Sequence, residues 1–309
     1  MTYSIVAYDP EQNQLGVAVQ SHSLCVGAAV PWAEAGVGAV ATQARSEGSY
    51  GSLGLAMIRS GKSAQQALKG LLASDPQAAI RQVAIVDQQG NIAVHTGEKC
   101  IEAAGHRQGT HFSVQANLML KNTVWDAMAD AFETSSGSLA ERMLAALFAA
   151  QSEGGDMRGQ QSAALLVVSS QPVSNASAGR LFDLRVDDHP KPLKELQRLL
   201  VVAQALQYRK AAVNFLLDKS LGDKKFDLAA QEFNKAMEMM PEVADNPEVM
   251  FWYAVTLASV EKVEESLPFF NKVFAANPIW QDLVPRLVRA ELLPDKEQVI
   301  TKVMEQTQQ

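Results

Sequence analysis

A strand-like pattern begins at the third residue of this chain. Residues 4–8 and 15–20 are runs rich in β-branched residues and alanine. Between them, residues 9–13 read Asp-Pro-Glu-Gln-Asn, which are the residue types that favour tight turns. We therefore predict a β-hairpin whose first strand leaves almost no tail in front of it. The first residues of the chain are then expected at the end of a sheet.

Strands and paired helices follow along the first part of the chain. We predict strands at residues 36–43, 82–87, 91–96, 111–117, 162–169 and 181–186, and helices at residues 63–72, 124–132 and 139–150. Ser63 with Gln66, and Ser138 with Glu141, have the spacing of capping boxes at helix starts. Strands that are apolar on both faces indicate two stacked sheets, and paired helices suit the outer faces. The predicted fold class is α+β, a four-layer α-β-β-α sandwich.

The composition changes near residues 190–192. Most glycines and the alanine-valine runs lie before this point, whereas leucine, lysine, glutamate and phenylalanine recur at helical spacing after it. A chain of 309 residues is long enough for about two domains. We predict the sandwich over residues 1–192 and an all-α domain over residues 193–309.

The second part contains an internal repeat. Residues 226–241 and 263–278 align so that small, aromatic and small residues coincide, followed by a proline. The aligned pairs are Ala229 with Ser266, Phe233 with Phe270, Ala236 with Val273, and Pro241 with Pro278. The offset slightly exceeds the period of about 34 residues of a tetratricopeptide repeat, and residues 245–247 are the candidate insertion. The pattern resembles that of the second helix of such a repeat.

Composition and charge exclude several classes of function. The net charge is -7, and no stretch has the basic character typical of nucleic-acid-binding domains. Two cysteines, Cys25 and Cys100, are too few for a disulfide framework or a four-cysteine zinc site. The first residues lack a signal-peptide pattern, and no apolar run of about 18 residues occurs. We expect a cytoplasmic protein with no membrane span and no nucleic-acid partner.

Thr2 is the sharpest candidate for chemistry. Its side chain is small, so an aminopeptidase is expected to remove Met1 and expose the α-amine of Thr2. An α-amine titrates near pH 8, so a useful fraction of it is neutral at working pH. One residue then supplies both a hydroxyl nucleophile and a general base for acyl transfer. A strand that starts at residue 3 would hold this group rigidly.

Seven segments of the first domain, taken in order, carry a resemblance to one family. They are residues 2–7, 15–21, 35–43, 95–98, 115–117, 154–168 and 185–190. Together they resemble the domain of unknown function 1028 family, which is placed in the N-terminal-nucleophile (Ntn) hydrolase superfamily. The resemblance implies the same α-β-β-α fold and brings no known substrate.

The superfamily resemblance also directs attention to positions around the amine. Proteasome-like members carry an acidic residue after the second strand and a lysine near the third. Here Ser21 takes the first position, and no lysine precedes Lys62. Gln43 and Arg45 are the nearest substitutes for the cationic partner of the amine. Asn117, a neutral amide at a strand end, suits an oxyanion donor.

A glycine-rich loop over residues 154–159 contributes Asp156 and Arg158. Arg158 is a candidate bidentate clamp for a substrate carboxylate, and a structured turn in which Asp156 pairs with Arg158 is the alternative. The loop lacks the Lys-Ser/Thr pair of a phosphate-binding loop. The predicted site therefore comprises Thr2, Ser21, Gln43 and Asn117 as catalytic residues, and Arg45, Asp156 and Arg158 as substrate-binding residues.

The five histidines give no clear metal signal, since none is paired at a spacing of four. A triad of His95, His111 and the acidic run at residues 187–189 is possible in space. Separate histidines that line loops are the alternative reading. We predict neither a bound metal nor a cofactor.

Two functions stay open at this point. The first is an amidohydrolase for a small non-peptide amide, because no long basic or apolar groove is indicated. The second is a non-catalytic binding or assembly protein whose helical repeats recognise a protein partner, since repeat arrays build concave surfaces. Trp252, Phe269 and Phe274 are candidate groove residues, with core packing as the alternative. Two repeats are few, so the array is expected to lean on the first domain or on a second copy in a homo-oligomer.

Overall fold

The chain divides into two compact units, Met1–Leu200 and Val201–Gln309. This computed structural model describes residues 2–174, 179–222, 224–239, 247–259, 262–290, 292–293 and 297–305. The division falls inside a long helix, Pro192–Leu217, which begins where the composition of the chain changes.

Ten strands form two antiparallel sheets in the described part of the first unit. They are β1 Thr2–Asp9, β2 Gln14–Ser21, β3 Pro31–Glu34, β4 Gly38–Ala44, β5 Arg81–Asp87, β6 Ile92–Thr96, β7 Gly105–Gly109, β8 Phe112–Asn117, β9 Ser162–Ser169 and β10 Arg180–Val186. The six-stranded sheet has the order β10-β9-β2-β1-β8-β7, and the four-stranded sheet has the order β3-β4-β5-β6. The mixed composition of strands and helices confirms the predicted α+β class.

The predicted N-terminal hairpin is confirmed. β1 pairs with β2 along its whole length, from Thr2 opposite Ser21 to Asp9 opposite Gln14. In the turn, a carboxylate oxygen of Asp9 accepts hydrogen bonds from the backbone N–H groups of Glu11 and Gln12, both at 2.9 Å. These local bonds satisfy the turn backbone and set the register of the two strands.

Two strands escaped the sequence analysis, and both lie at sheet edges. β3 is short and begins with a proline, and it borders the four-stranded sheet. β7 reads Gly-His-Arg-Gln-Gly and borders the six-stranded sheet. An edge strand needs no continuous apolar face and tolerates proline or charge, so its sequence pattern is weak.

Before the long helix, the described part of the first unit contains four α-helices: α1 Ser49–Arg59, α2 Ala64–Ser74, α3 Val124–Thr134 and α4 Leu139–Ser152. Both predicted capping boxes are present, at the starts of α2 and α4. α1 and α2 bury Leu55 and Leu68 with Val40 and Ile85 of the four-stranded sheet. α3 and α4 contact the six-stranded sheet, and α4 lies close to β2 at Gly16. A Cβ on Gly16 would lie 2.5 Å from the Met143 side chain.

The two sheets share an apolar core. One cluster of buried residues joins Val6 and Val17 of the six-stranded sheet to Ala41 and Val86 of the four-stranded sheet. On each strand the members of this cluster occupy every second position, for example Leu15, Val17 and Val19 on β2, as the two-residue period of a strand requires. The faces between the sheets are therefore buried together.

The second unit consists of helices in its described part. The long helix is α5 Pro192–Leu217, followed by α6 Lys224–Glu238, α7 Pro247–Ser259, α8 Val263–Ala276, α9 Val284–Arg289 and α10 Glu297–Glu305. The repeat alignment predicts equivalent positions in α6 and α8, and the three aligned pairs within the described residues are fully buried: Ala229 and Ser266, Phe233 and Phe270, Ala236 and Val273. Pro241 and residues 245–246 of the predicted insertion lie outside the described residues.

The candidate groove residues of the second unit pack in its core. Phe274 is buried, and Trp252 and Phe269 are partly buried against the same cluster. Phe269 also makes an edge-to-face contact with Tyr253 at 4.9 Å between ring centroids. Core packing, the alternative reading of these aromatic residues, is therefore what the structure contains. None of the described helices has both the length and the apolarity of a transmembrane segment.

Candidate functional site

The space between the sheets is apolar at one end and polar at the other. On β1, Val6 belongs to the apolar core, whereas Ser4 and Thr2, two and four positions earlier on the same face, are polar and buried. The inward faces of β2, β4 and β5 also change from apolar to polar towards this end, and that of β8 is polar along its length. Their buried polar residues are Ser21, Gln43, Gln82, Gln115 and Asn117.

Thr2 lies at this polar end, on a central strand. It pairs with Ser21 of β2 on one side and with Asn117 of β8 on the other. Only 4 % of Thr2 is exposed. Its hydroxyl donates a hydrogen bond to the Ser21 hydroxyl at 3.2 Å between the oxygens. Met1, whose removal the sequence analysis predicts, lies outside the described residues.

Two side-chain amides hold the backbone carbonyl of Thr2. Gln43 Nε2 donates to this oxygen at 3.3 Å, and Asn117 Nδ2 donates to it at 3.4 Å. The same two nitrogens also donate to Gln82 Oε1, at 2.7 Å and 2.8 Å respectively. Gln82 is therefore the acceptor on which both amides converge, and the sequence analysis did not single it out.

The network continues through hydroxyl and amide groups. Ser113 Oγ donates to Gln115 Oε1 at 3.1 Å, and Gln115 Nε2 donates to Ser4 Oγ at 2.6 Å. Ser4 Oγ in turn donates to Gln43 Oε1 at 2.6 Å. All of these side chains are neutral, so their burial avoids the large cost of desolvating a charge. A satisfied polar network of this kind makes the local structure rigid.

Gln82 extends the network towards the protein surface. Its Nε2 donates to the carbonyl oxygens of Ala116, at 2.9 Å, and Gly105, at 3.1 Å, and lies 2.9 Å from Thr96 Oγ1. Thr96 Oγ1 lies 2.9 Å from Nδ1 of His106. Partial burial, followed by the nearby His95, lowers the pKa of His106.

A cavity of about 310 Å³ adjoins Asn117. Its lining residues are Ala44, Arg45, Ile80, Lys99, Cys100, Ile101 and Asn117. Arg45 follows β4 directly, and its carbonyl oxygen accepts a hydrogen bond of 2.6 Å from the Arg81 guanidinium. Burial raises the pKa of the Cys100 thiol, which makes this cysteine a poor nucleophile at neutral pH.

Asp156 and Arg158 form a separate cluster at the same end of the six-stranded sheet. Arg158 donates to both carboxylate oxygens of Asp156, at 3.0 Å and 2.8 Å. The backbone N–H of His22, next to Ser21, donates to Asp156 at 3.1 Å. Burial, and then the negative charge of Asp156, raise the pKa of Tyr3. The structured turn with this ion pair, predicted as the alternative to a substrate clamp, is present.

The structure brings four of the predicted site residues into one contact network: Thr2, Ser21, Gln43 and Asn117. Arg45 lines the cavity that shares Asn117 with this network. Asp156 lies beside this network, because it accepts from the N–H of His22, the residue after Ser21, and because Met157 N–H donates to the carbonyl oxygen of Leu118, the residue after Asn117. Both Nδ2 hydrogens of Asn117 are used within the protein, so an oxyanion role requires one of those bonds to open. The individual roles stay predictions.

Gln82 could have been identified from the sequence as a polar residue within an apolar strand pattern. It occupies an inward-facing position of β5, a strand that is otherwise apolar on that face. A buried polar residue at an inward-facing position must find hydrogen-bond partners, and Ser4 and Gln115 also occupy such positions on their strands. A search for inward-facing polar residues would have collected these side chains.

The histidines of the possible metal triad bind backbone groups instead. His95 Nε2 lies 2.9 Å from the carbonyl oxygen of Ala78, and His111 Nδ1 lies 3.2 Å from that of Gly90. Within the described parts of the chain, no three side chains of histidine, cysteine, aspartate or glutamate form a cluster suited to a metal ion.

Comparison with known families gives a class for the first unit. Residues 2–196 match the family of unknown function DUF1028, and the chain belongs to this family. The match covers the strands of both sheets and all of the predicted site residues. No curated protein matches the chain.

A solved structure shows the same relationship. The crystal structure of protein SPO2555 from Silicibacter pomeroyi, described as a DUF1028 protein, is 33 % identical to this chain. The match covers 66 % of this chain and 89 % of the bacterial protein, with a TM-score of 0.59. The resemblance to DUF1028 predicted from the sequence is thus confirmed.

Proposed function

We propose that this protein is an amide hydrolase in which Thr2, once Met1 has been removed, is the nucleophile. The observation that carries the proposal is the rigid position of Thr2 at the buried polar end of a central strand. Its neighbours across both strand pairings, Ser21 and Asn117, are polar as well. Asn117 also lines a cavity large enough for a small substrate.

The proposed reaction uses two groups of Thr2, the α-amine as general base and the hydroxyl as nucleophile. The neutral α-amine of Thr2 takes the hydroxyl proton while Oγ attacks the amide carbonyl, which forms a tetrahedral intermediate. The proton then passes to the leaving nitrogen, the C–N bond breaks, and an ester to Thr2 remains. Water, activated by the same amine, hydrolyses that ester. The bonds from Gln43 and Asn117 to the Thr2 carbonyl keep the residue in position for both steps.

We also propose that the first unit is an Ntn-type four-layer sandwich. Two contacts support this architecture: the shared apolar core between the sheets, and the packing of α1 with α2 on one sheet and α3 with α4 on the other. For the second unit we propose helical repeats of the tetratricopeptide type. Its support is the burial of the small, aromatic and small positions that the alignment pairs.

The experiment that tests the function combines mass measurement with substitution of Thr2. We expect intact-protein mass spectrometry to show Met1 missing from protein expressed at native levels. Thr2→Ala should abolish hydrolysis of a responsive compound from a small-amide library. Thr2→Ser keeps the hydroxyl and the amine, so it should retain measurable turnover. Circular dichroism and thermal unfolding of both variants check that the fold is intact.

Two results would contradict the mechanism. One is a Thr2→Ala variant that hydrolyses the amide as fast as the natural protein does. The other is retention of Met1 on protein that is active, because the amine would then not belong to Thr2. Loss of activity from both variants at unchanged stability would show that more than the hydroxyl and amine is required at this position.

A further inference from the structure

The cavity beside Asn117 has two cations and no carboxylate among the side chains that line it. Arg45 and Lys99 are both lining residues, together with the apolar side chains of Ala44, Ile80 and Ile101. A cavity of about 310 Å³ with apolar walls and a few polar groups has the character of a small-ligand site. The positive charge of the lining therefore favours an anionic ligand.

Arg45 is an exception among the arginines of its unit. Every other arginine among the described residues of the first unit has a carboxylate within ion-pair distance: Arg59, Arg81, Arg107, Arg142, Arg158, Arg180, Arg185 and Arg198. Within those described residues, neither Arg45 nor Lys99 has such a partner. Both cations are thus available to an anion that enters the cavity.

The backbone brings these two cations together through one short segment. The N–H of Arg45 donates to the carbonyl oxygen of Ile80 at 3.4 Å, and the N–H of Lys99 donates to that of Ala79 at 2.8 Å. Ala44 has a φ of 67°, a left-handed conformation that an alanine rarely adopts. The chain therefore turns sharply where β4 ends and Arg45 enters the cavity lining.

We propose that this cavity binds a carboxylate of the substrate through Arg45 and Lys99, and that the substrate is a small amide with an apolar body and a free carboxylate. This proposal rests on the proposed function for the identity of the bound molecule as a substrate. A guanidinium recognises a carboxylate with two parallel hydrogen bonds, and an ammonium adds a second positive charge. Asn117 links the cavity to the proposed nucleophile, because it lines the cavity and its side chain donates to the backbone carbonyl of Thr2.

Equilibrium binding to the full-length Thr2→Ala variant tests the proposal without any turnover. The probes are N-acetyl derivatives of glycine, alanine, leucine and phenylalanine, each as the free acid and as the uncharged carboxamide. Ligand-observed NMR and calorimetry measure the dissociation constants. We expect at least one acid to bind about 10-fold or more tightly than its carboxamide, with a preference that falls as salt concentration rises.

Cavity variants in the Thr2→Ala background locate the binding. Arg45→Ala and Lys99→Ala should each weaken binding of the acid several-fold, and together they should remove its advantage over the carboxamide. Lys62→Ala is the matched control, because Lys62 is an exposed lysine in the turn between α1 and α2. That control should bind the acid as the parent variant does. Arg45→Lys should recover part of the affinity, since it restores the charge but not the two parallel bonds.

The outcomes separate this proposal from the proposed function. Equal affinity for acids and carboxamides, no binding of any acid, or unchanged binding by the double variant would overturn carboxylate recognition. Hydrolysis that depends on Thr2 could still be present in that case. Conversely, selective binding of acids with no Thr2-dependent hydrolysis of any amide would leave the anion site standing and would remove the hydrolase proposal.

Discussion

Gln82 illustrates how a single buried side chain organises the candidate site. Its Oε1 accepts from Gln43 and Asn117, which both hold the Thr2 carbonyl, so Gln82 acts on Thr2 through these two side chains. It is fully buried, and its Nε2 also binds backbone carbonyl oxygens of the neighbouring sheet. At the residue scale, Gln82 is therefore a positioning residue that joins the two sheets.

Replacement of this glutamine should cost more than loss of one hydrogen bond. Gln82→Ala leaves buried donors on Gln43 and Asn117 without an acceptor, so we expect the free energy of unfolding to fall by about 2 to 3 kcal/mol. Urea denaturation followed by tryptophan fluorescence measures this change. Gln89→Ala is the control, because the Gln89 side chain is exposed in the β5–β6 turn and should change stability by less than about 0.5 kcal/mol. Equal losses for the two variants would contradict the role of the network.

At the scale of elements, Asp75 ties a helix end to a strand. It follows α2 directly, and it accepts a hydrogen bond from Arg81 Nε of β5 at 2.8 Å. Tyr50 of α1 donates to the same carboxylate at 2.9 Å. Arg81 also donates to the Arg45 carbonyl, so this junction reaches the cavity. One carboxylate thus fastens two helices to the sheet beside the candidate site.

This junction should make stability depend on pH. The hydrogen bond from Arg81, followed by that from the Gln77 N–H, lowers the pKa of Asp75 to about 2, whereas an unfolded aspartate titrates near pH 3.9, as a rough reference. The unfolded chain therefore takes up this proton first as pH falls. The stabilisation is present above about pH 4 and is lost progressively as the pH approaches about 2.

Asp75→Asn isolates this effect. We expect the variant to be less stable than the natural protein at pH 7, with a difference that shrinks between about pH 4 and pH 2. Denaturant unfolding at a series of pH values measures it. Glu98→Gln, which changes an exposed carboxylate near the cavity, should follow the natural profile. A difference for Asp75→Asn that stays constant down to pH 2 would refute the assigned cause.

At the scale of the whole molecule, the chain combines a sheet-containing unit with a helical one. Each described unit buries its own apolar residues, around Val6 and Val17 in the first and around Phe251 and Phe270 in the second. In the second unit, Phe270 contacts Phe251 edge-to-face at 5.8 Å and stacks with Phe274 at 5.5 Å between centroids. Phe270 is therefore the anchor of the helical core.

Truncation of the Phe270 side chain should lower the stability of the second unit and leave the first unit unchanged. Phe270→Ala removes a fully buried ring, so we expect a loss of about 3 to 5 kcal/mol in the stability of that unit. Hydrogen exchange read by mass spectrometry should show faster exchange in peptides from α7 and α8 and unchanged exchange in β1. Phe269→Ala, which removes a partly exposed ring, should have a smaller effect. Loss of protection in β1 alone would contradict this assignment.

Local sequence patterns predicted much of the fold because their causes are local. The turn at residues 9–13 and the two capping boxes depend on contacts between residues a few positions apart. The small, aromatic and small positions of α6 and α8 follow from helical periodicity. β3 and β7 were missed because edge strands take their stability from a neighbour and need little pattern of their own.

The candidate site could be predicted only in part for the same physical reason. Thr2, Ser21 and Asn117 were recoverable because each lies at the end of a predicted strand. The convergence of Gln43 and Asn117 on Gln82 depends on which strands become neighbours and on how one sheet faces the other. Periodicity assigns a side chain to a face, but it carries no information on what lies opposite.

The hairpin start, the paired helices and the helical core positions follow from local sequence, because short-range bonds and periodic burial depend on residues close together in the chain. The tertiary fold alone joins polar residues from five strands, β1, β2, β4, β5 and β8, into one network. It also decided that Arg45 and Lys99 share a cavity, because the segment that binds both backbones lies far from Arg45 in the chain. Such arrangements depend on long-range strand register and sheet packing.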